Sequence, residues 1–169
     1  ALADPREVER AAELLAGARR PVILVGGGVC LAGAYEELRA LAEYVGAAVV
    51  STTQGKGAFP ENHLLYGWHP GSKATTVGNE LTREADVLLA VGCRFADQTT
   101  SSYRAGITFN IPPTRLIHLD VDPGEIGKNY PAAVGLVADA RAGLGQLLVA
   151  LRSLRPAADW RSSPYTAEI

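Results

Sequence analysis

Three consecutive glycines, Gly26-Gly27-Gly28, directly follow the apolar run Val22–Val25. Glycine lets backbone approach a ligand closely or sit at positive φ. A glycine turn between a strand and a helix is also where α/β proteins seat a phosphate. The same residues serve equally as a tight strand-to-helix turn, and the spacing lacks the third glycine of G-x-G-x-x-G, although Gly33 lies near. A second corner of this kind is Gly92-Cys93-Arg94-Phe95. Arg94 could grip a phosphate through its forked guanidinium, or it could pair with Asp97 or Asp120. Asp120 ends an apolar run, where a carboxylate suits a ribose or an adenine amine. Asp139 stands at another strand end and caps a helix in either reading. Lys56 lies in the loop Thr52–Pro60, whose glycines suggest a phosphate loop but miss the G-x-x-x-x-G-K-[ST] spacing. His69 beside Trp68 could pack on a flat ring. The three histidines, 63, 69 and 118, have no cysteine or glutamate set to complete a metal site, and no G-x-S-x-G elbow occurs. The residues point to a nucleotide-type ligand and supply no catalytic group.

These side chains need a frame that brings strand ends to one edge. Asp4, with Pro5 at the first helical position, reads as the cap of a helix ended by Gly17. Val22–Val25 reads as a buried strand, and a helix follows from Ala34 to Val45 with Leu38, Leu41 and Val45 on one face. Ala47–Val50 is a second strand. Ser72 reads as the cap of a helix to Glu84, and Ala85–Val91 as a third strand. The long stretch Cys93–Pro113 reads as a functional loop or one with a short helix of its own. Leu116–Asp120 is a fourth strand, with Asp122-Pro123-Gly124 starting a helical turn through Lys128. Val134–Ala138 is a fifth, and Asp139 caps a closing helix over Ala140–Leu154. Strands alternating with helices predict an α/β fold: a doubly wound, Rossmann-like, mainly parallel sheet of five to six strands with helices on both faces. The domain is expected over residues 1–155, with 156–169 as a linker toward a further C-terminal domain.

Composition excludes several classes. A formal net charge of −2 gives no electrostatic attraction for nucleic acid or an anionic membrane. Two cysteines among α/β repeats predict free thiols and, with no secretion signal, a cytoplasmic protein. The chain has no methionine, which suggests a domain of a longer polypeptide.

Five segments, in register, resemble the central domain of thiamine-diphosphate-dependent enzymes, the acetolactate (acetohydroxyacid) synthase large subunits above all. They are Arg20-Pro-Val-Ile-Leu-Val-Gly-Gly-Gly28, Thr53-Gln-Gly-Lys-Gly57, Gly67-Trp-His-Pro-Gly71, Ala85-Asp-Val-Leu-Leu-Ala-Val-Gly-Cys-Arg-Phe95 and Leu116-Ile-His-Leu-Asp-Val-Asp-Pro-Gly-Glu-Ile-Gly127. The resemblance implies a parent of three α/β domains that assembles as a homo-oligomer. The outer two domains would carry thiamine diphosphate, the activating glutamate and the G-D-G motif for Mg, which does not occur here. It further implies FAD or ADP in the central domain, held by Gly27, Gly28, Lys56, His69, Arg94, Asp120 and Asp139, with Gly92 beside them. Phe95 is followed by Ala96-Asp97-Gln98-Thr99, where the synthases carry two aspartates, arginine and valine; ADP therefore stands beside FAD as an expected ligand. On this reading the parent is a carboligase or decarboxylase, this domain holds FAD or ADP or serves as a structural interface, and the isolated domain is inactive. The alternative is a stand-alone nucleotide-binding or NAD-dependent deacylase-like module of the same fold.

Overall fold

Short runs dominated by Val, Leu, Ile and Ala form the strands β1 (Pro21–Val25), β2 (Ala48–Ser51), β3 (Val87–Val91), β4 (Arg115–Asp120) and β5 (Val134–Val137) in the computed structural model, which describes residues 1–169. They make one five-stranded sheet in the order β2-β1-β3-β4-β5, and every pairing is parallel. Parallel strands need crossovers that cover both faces, which is why β1 and β3 are buried at every position. The expected α/β class and parallel sheet are both present, with five strands.

Side chains alternate between two cores. Ile23, Val25, Leu89, Val91, Ile117 and Leu119 face the larger one, beneath α1 (Pro5–Ala16), α3 (Tyr35–Val45) and α5 (Ala140–Leu154). Val22, Leu24, Leu88, Ala90 and Leu116 face the smaller one, closed by α4 (Thr76–Glu84), Phe95 and Phe109. The helix ends follow side-chain chemistry. Asp4 accepts the Arg6 amide at 2.9 Å, and Asp139 accepts the Ala142 amide at 3.1 Å.

Three local readings change. A short helix, α2 (Gly27–Ala32), precedes the helix expected from Ala34, so two of the three glycines are its first turn. The α4 cap is Thr75, not Ser72: Thr75 Oγ1 accepts the Gly78 amide at 3.1 Å, whereas Ser72 turns to the Gln98 carbonyl. The segment after Asp122 forms turns without a helix. The long 93–113 stretch carries a short helix of its own, as expected, in the 3₁₀ turn Asp97–Thr100.

Residues 156–169 lie against the body of the domain. Trp160 stacks on His63 with ring centroids 5.1 Å apart, the Tyr165 hydroxyl donates to the Pro21 carbonyl at 3.0 Å, and Arg20 pairs with Glu168 at 2.7 Å. No helix is long and apolar enough to cross a membrane.

Candidate functional site

The sheet reverses its direction of winding between β1 and β3, and α/β proteins bind ligands outside the carboxyl ends at such a point. Each of these strands is followed directly by a glycine, and the two turns press together. The Gly26 amide donates to Val91 O at 2.9 Å and the Gly28 amide to Gly92 O at 3.2 Å. A Cβ on Gly26 would lie 2.0 Å from the Gly92 oxygen, and one on Gly28 would lie 2.7 Å from the Gly92 Cα. Gly92 itself sits at φ +56°, with Gly28 Cα only 2.5 Å from where its Cβ would be. Of the two readings of the glycine run, backbone packing therefore accounts for Gly26, Gly28 and Gly92. The amides of Gly26 and Gly28 are engaged by carbonyls and offer a ligand no donor.

A cleft of about 680 Å³ opens above this crossing, lined by Gly26–Gly28, Gln54, Gly92 and Arg94 among others. That is within the ~300–1,000 Å³ range of small-molecule sites. Arg94 is exposed in it and pairs with no carboxylate: neither Asp97 nor Asp120 takes the guanidinium. Its backbone is held from three sides. His118 Nε2 donates to the Cys93 carbonyl at 2.9 Å, Asn129 Nδ2 to the Arg94 carbonyl at 2.9 Å, and the Tyr103 hydroxyl to the Phe95 carbonyl at 2.9 Å. Phe95, at φ 52°, is buried among the rings of Phe109, His118 and Tyr130. Packing thus over-determines a backbone conformation that costs a non-glycine residue about 1–3 kcal/mol. The result is a fixed loop presenting a free guanidinium.

His118 lies fully within the protein, and burial pushes its pKa down. Because Nε2 donates to a carbonyl, the neutral ring leaves Nδ1 a bare acceptor with no partner. Burial also pushes the Cys93 thiol up to about 12, so it stays protonated and is a poor nucleophile. Both cysteines are free, and no three His, Cys, Asp or Glu side chains converge as a metal would require.

Two further grooves share walls with the cleft. Toward β4 and β5, a groove of about 240 Å³ is lined by Arg94, Asp120 and Asp139. Asp120 Oδ1 accepts the Asp122 amide at 2.9 Å, and Oδ2 has no partner in the protein. Asp139 caps α5, and both of its roles remain compatible because only Oδ2 is engaged by the Ala142 amide. Toward β2, a pocket of about 150 Å³ is lined by Lys56, His69 and Lys73 with Thr53, Gln98 and Thr99. His69 Nδ1 lies 3.0 Å from the Ser51 carbonyl; a carbonyl only accepts, so Nδ1 carries the proton and Nε2 is the acceptor of the neutral ring. Trp68 packs on Tyr66 at 5.5 Å and does not line this pocket, so it forms no platform with His69.

Over residues 8–147 the chain matches the central domain of thiamine pyrophosphate enzymes. The chain belongs to that family. It is 46% identical over 150 residues to the probable acetolactate synthase large subunit of Methanocaldococcus jannaschii, a match covering 89% of this chain and 25% of that protein. The acetolactate synthase large subunit of Corynebacterium glutamicum is 44% identical over 143 residues, 85% of this chain and 22% of that one. The acetolactate synthase of Mycobacterium bovis is 42% identical over 147 residues, covering 87% and 23%. The central domain thus spans about a quarter of the length of these relatives.

All eight residues singled out from the sequence line these three adjoining cavities, which together form a trench along the carboxyl edge of the sheet. Gly27, Gly28, Gly92 and Arg94 line its middle, Lys56 and His69 one end, and Asp120 and Asp139 the other. Sequence reasoning missed Gln98 and Thr99, which line both the middle and the His69 end, and Lys73, which faces that end alone. The only available signal for Lys73 was scarcity: the chain has lysine at 56, 73 and 128 and nowhere else.

Proposed function

We propose that this central domain is the nucleotide-holding, non-catalytic part of a thiamine-diphosphate-dependent carboligase or decarboxylase of the acetolactate synthase kind. The observation that carries the reading is an unpaired arginine, fixed on a rigid loop, in the cleft at the switch point of the sheet. The donor set fits an adenine nucleotide such as ADP or the adenine half of FAD. Arg94 provides a forked cation for a phosphate, and Asp120 Oδ2 provides an acceptor for a ribose hydroxyl. When present, such a group would be held here and would take no reacting part supplied by this chain. Thiamine diphosphate, Mg and the reacting carbonyl compound belong to flanking domains of a longer cytoplasmic, homo-oligomeric chain, consistent with relatives about four times as long. The domain by itself then turns over no 2-oxo acid.

The test is calorimetric titration of ADP and FAD into the chain and into Arg94→Ala. Losing a charged hydrogen bond costs about 1.5–3 kcal/mol, roughly a 10- to 150-fold weaker Kd. Equal affinities in the two proteins would refute the reading, as would pyruvate turnover by the chain given thiamine diphosphate and Mg.

A further inference from the structure

Four of the five non-glycine residues with a left-handed backbone lie between Cys93 and Pro113: Phe95, Ser101, Ser102 and Tyr103. The last three are consecutive, at φ 52°, 56° and 59°. L-residues visit this region singly, so a run of three without glycine must be held by its surroundings. Ser101 roots it in α4. Thr108 Oγ1 donates to Asn79 Oδ1 at 2.9 Å. Its one proton is thereby committed, so Ser101 Oγ, 2.7 Å away, is the donor to Thr108. The Ser102 amide donates to Asp97 O at 3.0 Å and the Tyr103 amide to Thr100 O at 3.2 Å.

Core packing does not account for this turn, since Tyr103 belongs to neither hydrophobic core and is 45% exposed. What the turn achieves is to send the Tyr103 hydroxyl back to the Phe95 carbonyl, at 2.9 Å. From the segment between β4 and β5, Asn129 Nδ2 donates to the Arg94 carbonyl at 2.9 Å and to the Phe95 carbonyl at 3.3 Å. Two side chains thus tie the two carbonyls that follow the Arg94 Cα. Neither Tyr103 nor Asn129 lines any of the three cavities of the trench. Their influence on a ligand therefore passes through the backbone they hold. The Arg94 guanidinium pairs with no carboxylate. A side chain that nothing grips is aimed only by the direction of its own Cα–Cβ bond, and the clamped peptides set that direction.

Resting on the nucleotide reading of the cleft, we propose that Tyr103 and Asn129 are positioning residues for Arg94. They clamp the peptide groups on either side of Phe95, so the guanidinium meets a phosphate from a loop that is already ordered. Ordering a loop at the moment of binding subtracts from affinity. The left-handed turn 101–103, rooted in α4 through Ser101 and Thr108, supplies that order beforehand. His118 holds the preceding carbonyl, of Cys93, from within the core. Tyr103 and Asn129 hold the loop from its exposed side, where they can be altered without opening either core.

The experiment uses Tyr103→Phe, which removes the hydroxyl and keeps the ring beside Tyr130, and Asn129→Ala, each with Arg94 present and in an Arg94→Ala background. It reads ADP affinity by calorimetry and NMR order parameters of the backbone amides at 94–97, with thermal melting confirming an intact fold. Each variant should weaken ADP about three- to tenfold, as loss of one ordinary hydrogen bond does. Neither should matter to ADP once Arg94 is alanine. The order parameters should fall from about 0.85, the value of rigid backbone, toward ~0.6. An equal loss of affinity with and without Arg94, or order parameters that stay at the rigid value, would overturn the clamp. ADP binding that needs Arg94 but ignores both variants defeats this inference and spares the nucleotide reading. If ADP does not bind the unaltered chain, the nucleotide reading fails and the order parameters decide alone. A fall in both variants keeps the clamp on Arg94, and unchanged values remove it.

Discussion

The floor and the walls of the trench are built on opposite principles. At the floor, Gly26, Gly28 and Gly92 meet backbone to backbone, and an added Cβ at any of them would fall within 2.7 Å of a heavy atom across the crossing. On the walls, Arg94, Lys56 and Lys73 are exposed and form no ion pair with the rest of the chain. The floor is what the fold requires of itself. The walls are what the fold leaves free. A glycine-rich corner in an α/β domain is readily taken for a phosphate cradle, but here two of its amides are already engaged by carbonyls, so recognition rests on side chains.

Breaking the floor should have the largest effect. Gly92→Ala puts a methyl 2.5 Å from Gly28 Cα at φ +56°. Overpacking and left-handed strain then act together, and we expect a loss of about 3 kcal/mol or more in urea unfolding. A variant within ~0.5 kcal/mol of wild type would show that β1 and β3 do not close on each other as described.

The next effect is one of pH and tests the support beneath Arg94. Burial pushes the His118 pKa below its ordinary value near 6.5, so above 6.5 the ring is neutral in both folded and unfolded chains. As pH falls through 6.5 the unfolded chain takes up a proton that the folded one refuses. Stability then falls until the folded pKa is reached, by at most about 1.4 kcal/mol per pH unit. His118→Gln can still donate to the Cys93 carbonyl and does not titrate. Wild type should therefore lose stability relative to His118→Gln between neutral and mildly acid pH. Carboxylates cancel in the difference, and parallel curves would show that the ring does not resist protonation.

Asp139 belongs to both floor and wall, and two variants separate its roles. Asp139→Ala removes the α5 cap and should cost about 1 kcal/mol. Asp139→Asn keeps a good cap, so stability should hold within ~0.5 kcal/mol. Any change in ADP affinity in that variant then reports the carboxylate itself.

This contrast also marks what could be read from the chain. The strands were legible because runs such as Val22–Val25 and Leu116–Asp120 are too short and too apolar for anything but a buried parallel sheet, and Asp4 and Asp139 announced their helices. The helix α2 was not, since Gly27-Gly28-Val29-Cys30-Leu31-Ala32 has poor helix propensity and is held by the contact of Gly28 with Gly92. The sequence points to Ser72 as the α4 cap, and Thr75 takes it instead. The Gln98 carbonyl, on a loop over 20 residues away, draws off Ser72 and settles the choice. In the site, Arg94 and Asp120 were visible because they sit at strand ends. Lys73 was not, because it enters from a loop whose path no local pattern dictates. Which glycine packs on which also depends on strand order, and strand order is a property of the whole sheet.

The smallest expected effect completes the comparison. Removing the wall cations should leave the fold nearly untouched. The Arg94 side chain has no hydrogen-bond or ion-pair partner, and the contact its residue does make is through the main-chain carbonyl, to Asn129 Nδ2 at 2.9 Å, which alanine preserves. Lys56 is exposed in its loop and likewise makes no ion pair. Surface changes of this sort fall within ~0.5 kcal/mol in either direction, because removing unpaired positive charge also relieves repulsion. Urea unfolding of Arg94→Ala and Lys56→Ala beside wild type measures it. A loss above ~1 kcal/mol in Arg94→Ala would place that arginine among the groups the fold depends on, and the division between floor and walls would have to be redrawn with Arg94 on the structural side.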